Sequence, residues 1–268
     1  MSVKKRVKYF LISVFLITCI PWVIAAIISH INQESMLIFP LQLMGGAGPL
    51  IATLLYLIKT KEWKQFIDRM IHFQGINRIA WGITVAPILI ILSTQWLVFG
   101  RLNVNTEFTA LGLSYMLFLL FFGPIPEEVG WRGILFHDLN QQSFKKAQIY
   151  TMLVWLIWHL PLFFIVGTYQ FELGVLSLRF LFFCLNVMVQ SFIMGYLYVL
   201  GKKNIVFVIL FHYFVNLFGE MFHKSTNSEI ISIALYVILL LSLVIHHQSL
   251  FSSNETRINV DGHSDHSL

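Results

Sequence analysis

The chain has 268 residues, of which 57% are hydrophobic and only 12% charged, with a formal charge of +5 and a mean hydropathy of +0.75. A water-soluble domain carries about 25% charged residues, so this composition cannot cover its own surface in water. The apolar residues run continuously and do not alternate, which argues against a membrane barrel and for an all-α, polytopic helix bundle.

In chain order, Lys4, Lys5, Arg6 and Lys8 precede a first apolar run over 9–29. That run exceeds the roughly 7–15 residues of a cleavable signal core, so a retained span is expected. At about 20 residues per crossing, the sequence predicts eight spans: 9–29, 37–58, 79–100, 107–125, 147–167, 177–200, 204–219 and 229–247. Between the second and third, Trp63, Phe66, Ile67, Met70 and Ile71 recur at helical spacing opposite Lys64, Asp68 and Arg69, the pattern of an interfacial amphipathic helix. Residues 1–248 thus form one membrane domain, and 249–268 read as a polar, disordered cytoplasmic tail. Cys19 and Cys184 fall in apolar runs and are too few for a disulfide framework.

Positive charge orients the bundle. With the N-terminus in the cytoplasm, fourteen cations fall on that side: four before Tyr9, five over 59–78, Lys145, Lys146, Lys202, Lys203 and Arg257. Arg101, Arg179 and Lys224 fall outside, and Arg132 belongs to the polar motif over 123–132. The chain is therefore expected to be a multi-pass protein of the cell membrane with both termini cytoplasmic. Topology accounts for the surplus positive charge, and there is no soluble domain to bind nucleic acid.

Three polar clusters interrupt the spans, and ionisable groups at such depth point to function. In Gly123-Pro124-Ile125-Pro126-Glu127-Glu128-Val129-Gly130-Trp131-Arg132, the prolines end one helix, and Pro126 suits the first position of the next. Acids in a first turn also meet the helix dipole favourably, but at membrane depth that explains one glutamate at most. Glu128 and Arg132 stand i,i+4 and are expected to pair as a structural clamp. Glu127 is rotated about 100° away, has no local cation, and suits a general base or acid.

His159 follows Trp155 by four residues, so the aromatic ring is expected to orient the imidazole. With a turn centred near Phe144, Glu127 lies 17 residues before it and His159 lies 15 after, which puts them at nearly equal depth on antiparallel helices. His212 and Asn216 again share a face at i,i+4. Either histidine alone reads equally well as a satisfied core or interhelical residue. The remaining eight histidines are expected at ends, loops and tails. HExxH, cysteine-based zinc spacing and GxSxG are absent, and Ser191 and Ser114 have no triad context.

Glu127-Glu128-x-x-x-Arg132, Trp155-x-x-x-His159 and His212-x-x-x-Asn216, in this order in a polytopic chain, resemble the CPBP family of CAAX-type prenyl proteases and bacteriocin-processing or immunity proteins, also called the Abi family. The resemblance covers about residues 107–220; Trp155 stands where many members carry Phe. It implies an eight-helix intramembrane endopeptidase in which Glu127 is the catalytic glutamate, Glu128 with Arg132 the supporting ion pair, His159 a partner in water activation, and His212 with Asn216 the oxyanion-stabilising pair. The implied partner is a membrane-proximal peptide or protein, prenylated in one branch of the family and bacteriocin-related in another.

Two hydrolytic designs fit these residues. Glu127, His159 and His212 make a His₂Glu zinc set with an open water position, and the family is often labelled metalloprotease. Alternatively no cofactor is needed: Glu127 and His159 polarise water while His212 and Asn216 donate to the oxyanion. Asn216 favours the metal-free design, because an amide is a poor zinc ligand and a good donor. The competing class is a non-catalytic immunity or peptide-binding membrane protein, which would need Glu128–Arg132 but not an unpaired Glu127.

Overall fold

The computed structural model describes residues 2–252. Of the tail expected over 249–268, Ser249–Ser252 form a single helical turn and the remainder lies outside the described residues. Everything else is helix and short connection, as an apolar chain in lipid requires for its backbone.

The helices are α1 (Val3–Ile31), α2 (Ile38–Gly46), α3 (Gly48–Thr60), α4 (Trp63–Met70), α5 (Arg78–Phe99), α6 (Thr106–Phe122) and α7 (Pro124–Gly130), which runs through a π-helical turn (Trp131–Phe136) into α8 (His137–Asn140). They are followed by α9 (Phe144–His159) with a 3₁₀ extension (Leu160–Phe164), α10 (Tyr169–Leu173), α11 (Leu178–Leu200), α12 (Ile205–Met221) and α13 (Thr226–His246). The amphipathic stretch forms α4, and Phe66 is its buried residue while Trp63 and Ile67 stay exposed.

Five helices are long and apolar enough to cross a membrane, and six if the bent pair α2 and α3 counts as one. The chain is therefore an all-α, multi-spanning bundle, but eight crossings are not established. The differences from the expected eight have local causes. The run over 37–58 bends by 44° where Gly45-Gly46-Ala47-Gly48-Pro49 interrupts it. The run over 107–125 breaks at Gly112 (φ 69°) and again at Gly123, leaving α6 only 17 residues long. α12 is likewise 17 residues, too short for a confident span. Pro124, not Pro126, opens α7, and Pro126 falls in its first turn, where a missing N–H costs no intrahelical bond.

Close approach of helices depends on small residues, the usual device in membrane bundles. A Cβ at Gly130 would stand 2.6 Å from the Pro49 Cβ and 2.9 Å from its carbonyl oxygen, so only glycine lets α7 lie against α3. On α1, the Thr18 hydroxyl donates to the Gly45 carbonyl (2.9 Å) and accepts from the Trp158 indole (2.9 Å), clipping α1, α2 and α9 together. Trp158 packs between Trp22 (4.8 Å between centroids) and Trp131 (5.7 Å).

The bundle has two unlike poles. At one, Arg6 bridges Glu62 (2.8 Å) and Asp138 (3.1 Å), Tyr56 donates to Asp138 (2.9 Å), and Asn204 donates to the His72 carbonyl (2.8 Å). These bonds tie the N-terminus, the end of α3, α8 and the start of α12 into one cation-rich pole. At the other, Val104 and Phe222 form an isolated antiparallel bridge, and the Val166 N–H donates to Ser29 Oγ (3.0 Å).

Candidate active site

α7 delivers both glutamates within one turn, but the packing sends them to different partners. Glu128 and Arg132 are both fully buried, and Arg132 Nη1 donates to both carboxylate oxygens at 3.0 and 2.8 Å. The expected i,i+4 clamp is present. A fully buried pair is worth little unless its remaining valences are filled; here both carboxylate oxygens and both Nη groups are engaged, while Arg132 Nε has no partner among the described residues. Arg132 Nη2 donates to Ser191 Oγ on α11 (3.0 Å), its guanidinium lies over the Trp155 ring (4.7 Å), and His212 Nδ1 meets Glu128 Oε1 (2.8 Å). Glu128 thus holds α7, α11 and α12 in register.

Two features of this cluster were not visible in the sequence. Ser191, which has no local motif, becomes the third arm of the Arg132 network. His212 was expected beside Asn216 as a donor pair, yet its Nδ1 edge is taken by a carboxylate 84 residues away in sequence.

Glu127 lies apart from the ion pair. Its Oε2 accepts the Trp155 indole N–H at 2.7 Å, which fixes the carboxylate against α9 and puts Glu127 and the Trp155–His159 turn at one depth. Trp155 therefore does more than orient an imidazole. Its ring meets both histidines edge to face, at 5.4 Å for His159 and 5.5 Å for His212, instead of stacking.

The two imidazoles share one orientation logic. His159 Nδ1 lies 2.7 Å from the Trp155 carbonyl, which can only accept, so that nitrogen carries the proton. His212 Nδ1 likewise faces a carboxylate oxygen. In the neutral ring each Nε2 is then left with a free lone pair. Glu127, Trp155, His159, His212 and Asn216 all line one cavity of about 360 Å³. His137, expected at a solvent-facing end, is instead half-buried, with its Nδ1 2.8 Å from the Tyr198 hydroxyl.

The family's metal label is testable on these side chains. Among the described residues, no three His, Cys, Asp or Glu side chains gather closely enough to hold a metal ion. Glu127, His159 and His212 line one cavity without converging on a point, and Glu128 is committed to Arg132 and His212.

Residues 109–218, which contain every residue of this cluster, match the family described as Type II CAAX prenyl endopeptidase Rce1-like. Over this stretch the chain is similar to that family, and the stretch is the one whose motifs resemble the CPBP family of CAAX-type proteases. The chain is also similar along nearly its whole length to a protein named CAAX prenyl protease 2 from Methanococcus maripaludis, at 27% identity over 268 residues, covering 93% of this chain and 97% of the relative. Both descriptions name a protease. The matched region agrees with the extent of the motif resemblance.

Proposed function

We propose that the chain is an intramembrane endopeptidase that hydrolyses a peptide bond with water activated by Glu127 and His159. The observation that carries this is the division of labour between adjacent glutamates. Glu128 is saturated by Arg132 and His212, while Glu127 keeps a cavity-facing carboxylate with one neutral donor. A scaffold needs the first arrangement and has no use for the second.

Charge balance supports the chemistry. Glu127, Glu128 and Arg132 together carry one excess negative charge, so one added proton makes the cluster neutral. That proton resides either on Glu127 or on His212 Nε2. In the reactive form His212 is the imidazolium, paired through Nδ1–H with Glu128, and its Nε2–H donates into the cavity. Glu127 is then free to take a proton from water while the His159 Nε2 lone pair accepts the second water hydrogen bond. As the water oxygen attacks the scissile carbonyl, negative charge develops on the carbonyl oxygen, where the Asn216 amide and His212 Nε2–H donate. Glu127 passes its proton to the departing amine, which completes the cycle. No step is routed through a metal.

The span count and the location follow from the same reading. The segments α6–α8 and α12, too short individually, complete eight traverses when joined to the six recognised spans, with both termini in the cytoplasm. Phe182, Phe183, Val215 and Phe218 give the cavity an apolar wall suited to a hydrophobic or lipid-modified peptide. The reading is tested by mass spectrometry of membrane-associated peptides from cells carrying the intact chain or Glu127→Gln. Fragments that depend on Glu127 support it; identical peptide profiles would reduce the chain to a binding or immunity protein.

A further inference from the structure

The exposed charged residues that line the cavity all lie at one pole. The lining climbs from Glu127 and His212 to Arg179 at the start of α11, Glu220 and Lys224 at the end of α12, and Glu229 at the start of α13. His212 lies eight residues below Glu220, about 12 Å of helix rise. Toward the opposite pole the same helices are closed. Tyr196, Tyr198, Phe136, Phe207 and Phe211 are all 1% exposed or less, and Phe136 meets Tyr198 and Phe144 edge to face at 5.5 and 6.0 Å. Among the described residues, none from the Arg6–Glu62–Asp138 pole lines the cavity.

That closed pole is also the cation-rich one. Thirteen of the described lysines and arginines lie there, against Arg101, Arg179 and Lys224 at the other, and the connections at both poles are short enough for this bias to govern orientation. The two asymmetries concern different residues, one the surface and one the interior, and they coincide. We infer that the catalytic cavity opens on the non-cytoplasmic side of the membrane, so the substrate is a peptide segment presented there and not a cytoplasmic lipidated C-terminus. Arg179, Lys224, Glu220 and Glu229 make the rim neutral overall, so it admits a peptide without selecting the sign of its charge. The substrate side rests on the protease reading; the orientation does not.

The test uses the full chain in a Cys19→Ala/Cys184→Ala background with single cysteines at Met36, Asn227 or Gln142. All three positions are exposed: Met36 and Asn227 at the open pole and Gln142 at the closed one. A membrane-impermeant maleimide applied to intact cells should label Met36→Cys and Asn227→Cys and should label Gln142→Cys only after permeabilisation. Labelling of Gln142→Cys in intact cells, alone or alongside the others, overturns the inference. In the same cells, fragments lost with Glu127→Gln should appear on the outer side. Their appearance only in the cytosol overturns the substrate assignment. If no fragment depends on Glu127, the protease reading fails while the labelling still decides the orientation.

Discussion

The halves of the bundle on either side of Glu128 are built on opposite plans. Toward the cationic pole the interior is closely packed and aromatic, and polar pairs such as Arg6–Asp138 and Tyr56–Asp138 lie at its rim. Toward the other pole the same helices part around a cavity with unpaired imidazole edges. The layer between them is the Glu128–Arg132–Ser191–His212 network. On the protease reading, this contrast reconciles rigidity with access: one half fixes the helices, the other is left open, and the buried ion pair links the fixed half to the cavity. A site held loosely by about 1 Å loses most of its advantage, so on that reading the closed half serves the chemistry by holding the site.

The sharpest way to break the comparison is one isosteric change at two adjacent positions. Glu127→Gln removes the base but keeps an oxygen for the Trp155 N–H, so turnover should fall by about 10²–10⁴ while expression and thermal stability stay near wild type. Glu128→Gln should act on stability, because Arg132 and His212 lose their counter-charge at full burial, a loss of about 3–5 kcal/mol. Thermal unfolding in detergent measures both. Equal destabilisation by the two variants would erase the distinction between the open and saturated glutamates.

Asn216→Ala probes the open half alone. It lines the cavity one turn beyond His212, and losing an oxyanion donor should lower kcat by about 10²–10³ with KM nearly unchanged. A rise in KM with kcat preserved would reassign Asn216 to substrate binding. Ser191→Ala probes the layer between the halves. It strips one acceptor from a buried guanidinium and should cost about 1.5–3 kcal/mol of stability, with a smaller effect on rate. A rate loss as large as that of Asn216→Ala would place Ser191 in the chemistry.

The sequence carried whatever was local. Glu128–Arg132 was legible because both lie on one helix face, and the depth match of Glu127 with the Trp155–His159 turn followed from counting residues about a tight turn. His212–Glu128 and Arg132–Ser191 were not legible, since they join helices 84 and 59 residues apart through packing that no local spacing encodes. The π-helical turn at Trp131–Phe136 leaves no compositional trace either. The bend between α2 and α3 is a different case. Its signal, three glycines and a proline within Gly45–Pro49, was present, but the apolar run through it masked the break.

The smallest expected effect is none, and it concerns metal. The tautomers do not decide the matter, because an imidazole donating Nδ1–H to a carbonyl or carboxylate is also the form in which histidine binds zinc through Nε2. A catalytic zinc needs three protein donors within about 2.0–2.2 Å of one point, and no such trio forms among the described residues. The fourth polar group on the cavity wall, Asn216, is an amide one turn from His212 and suits a developing oxyanion better than a cation. Exhaustive chelation of the purified protein should therefore leave turnover unchanged, with metal content well below one ion per chain. If chelation abolishes activity, added zinc restores it and His212→Ala strips the ion, then the open half closes around a metal during catalysis. His212 would then be a ligand and not an oxyanion donor, and the similarity of the chain to CAAX-type endopeptidases would be unaffected.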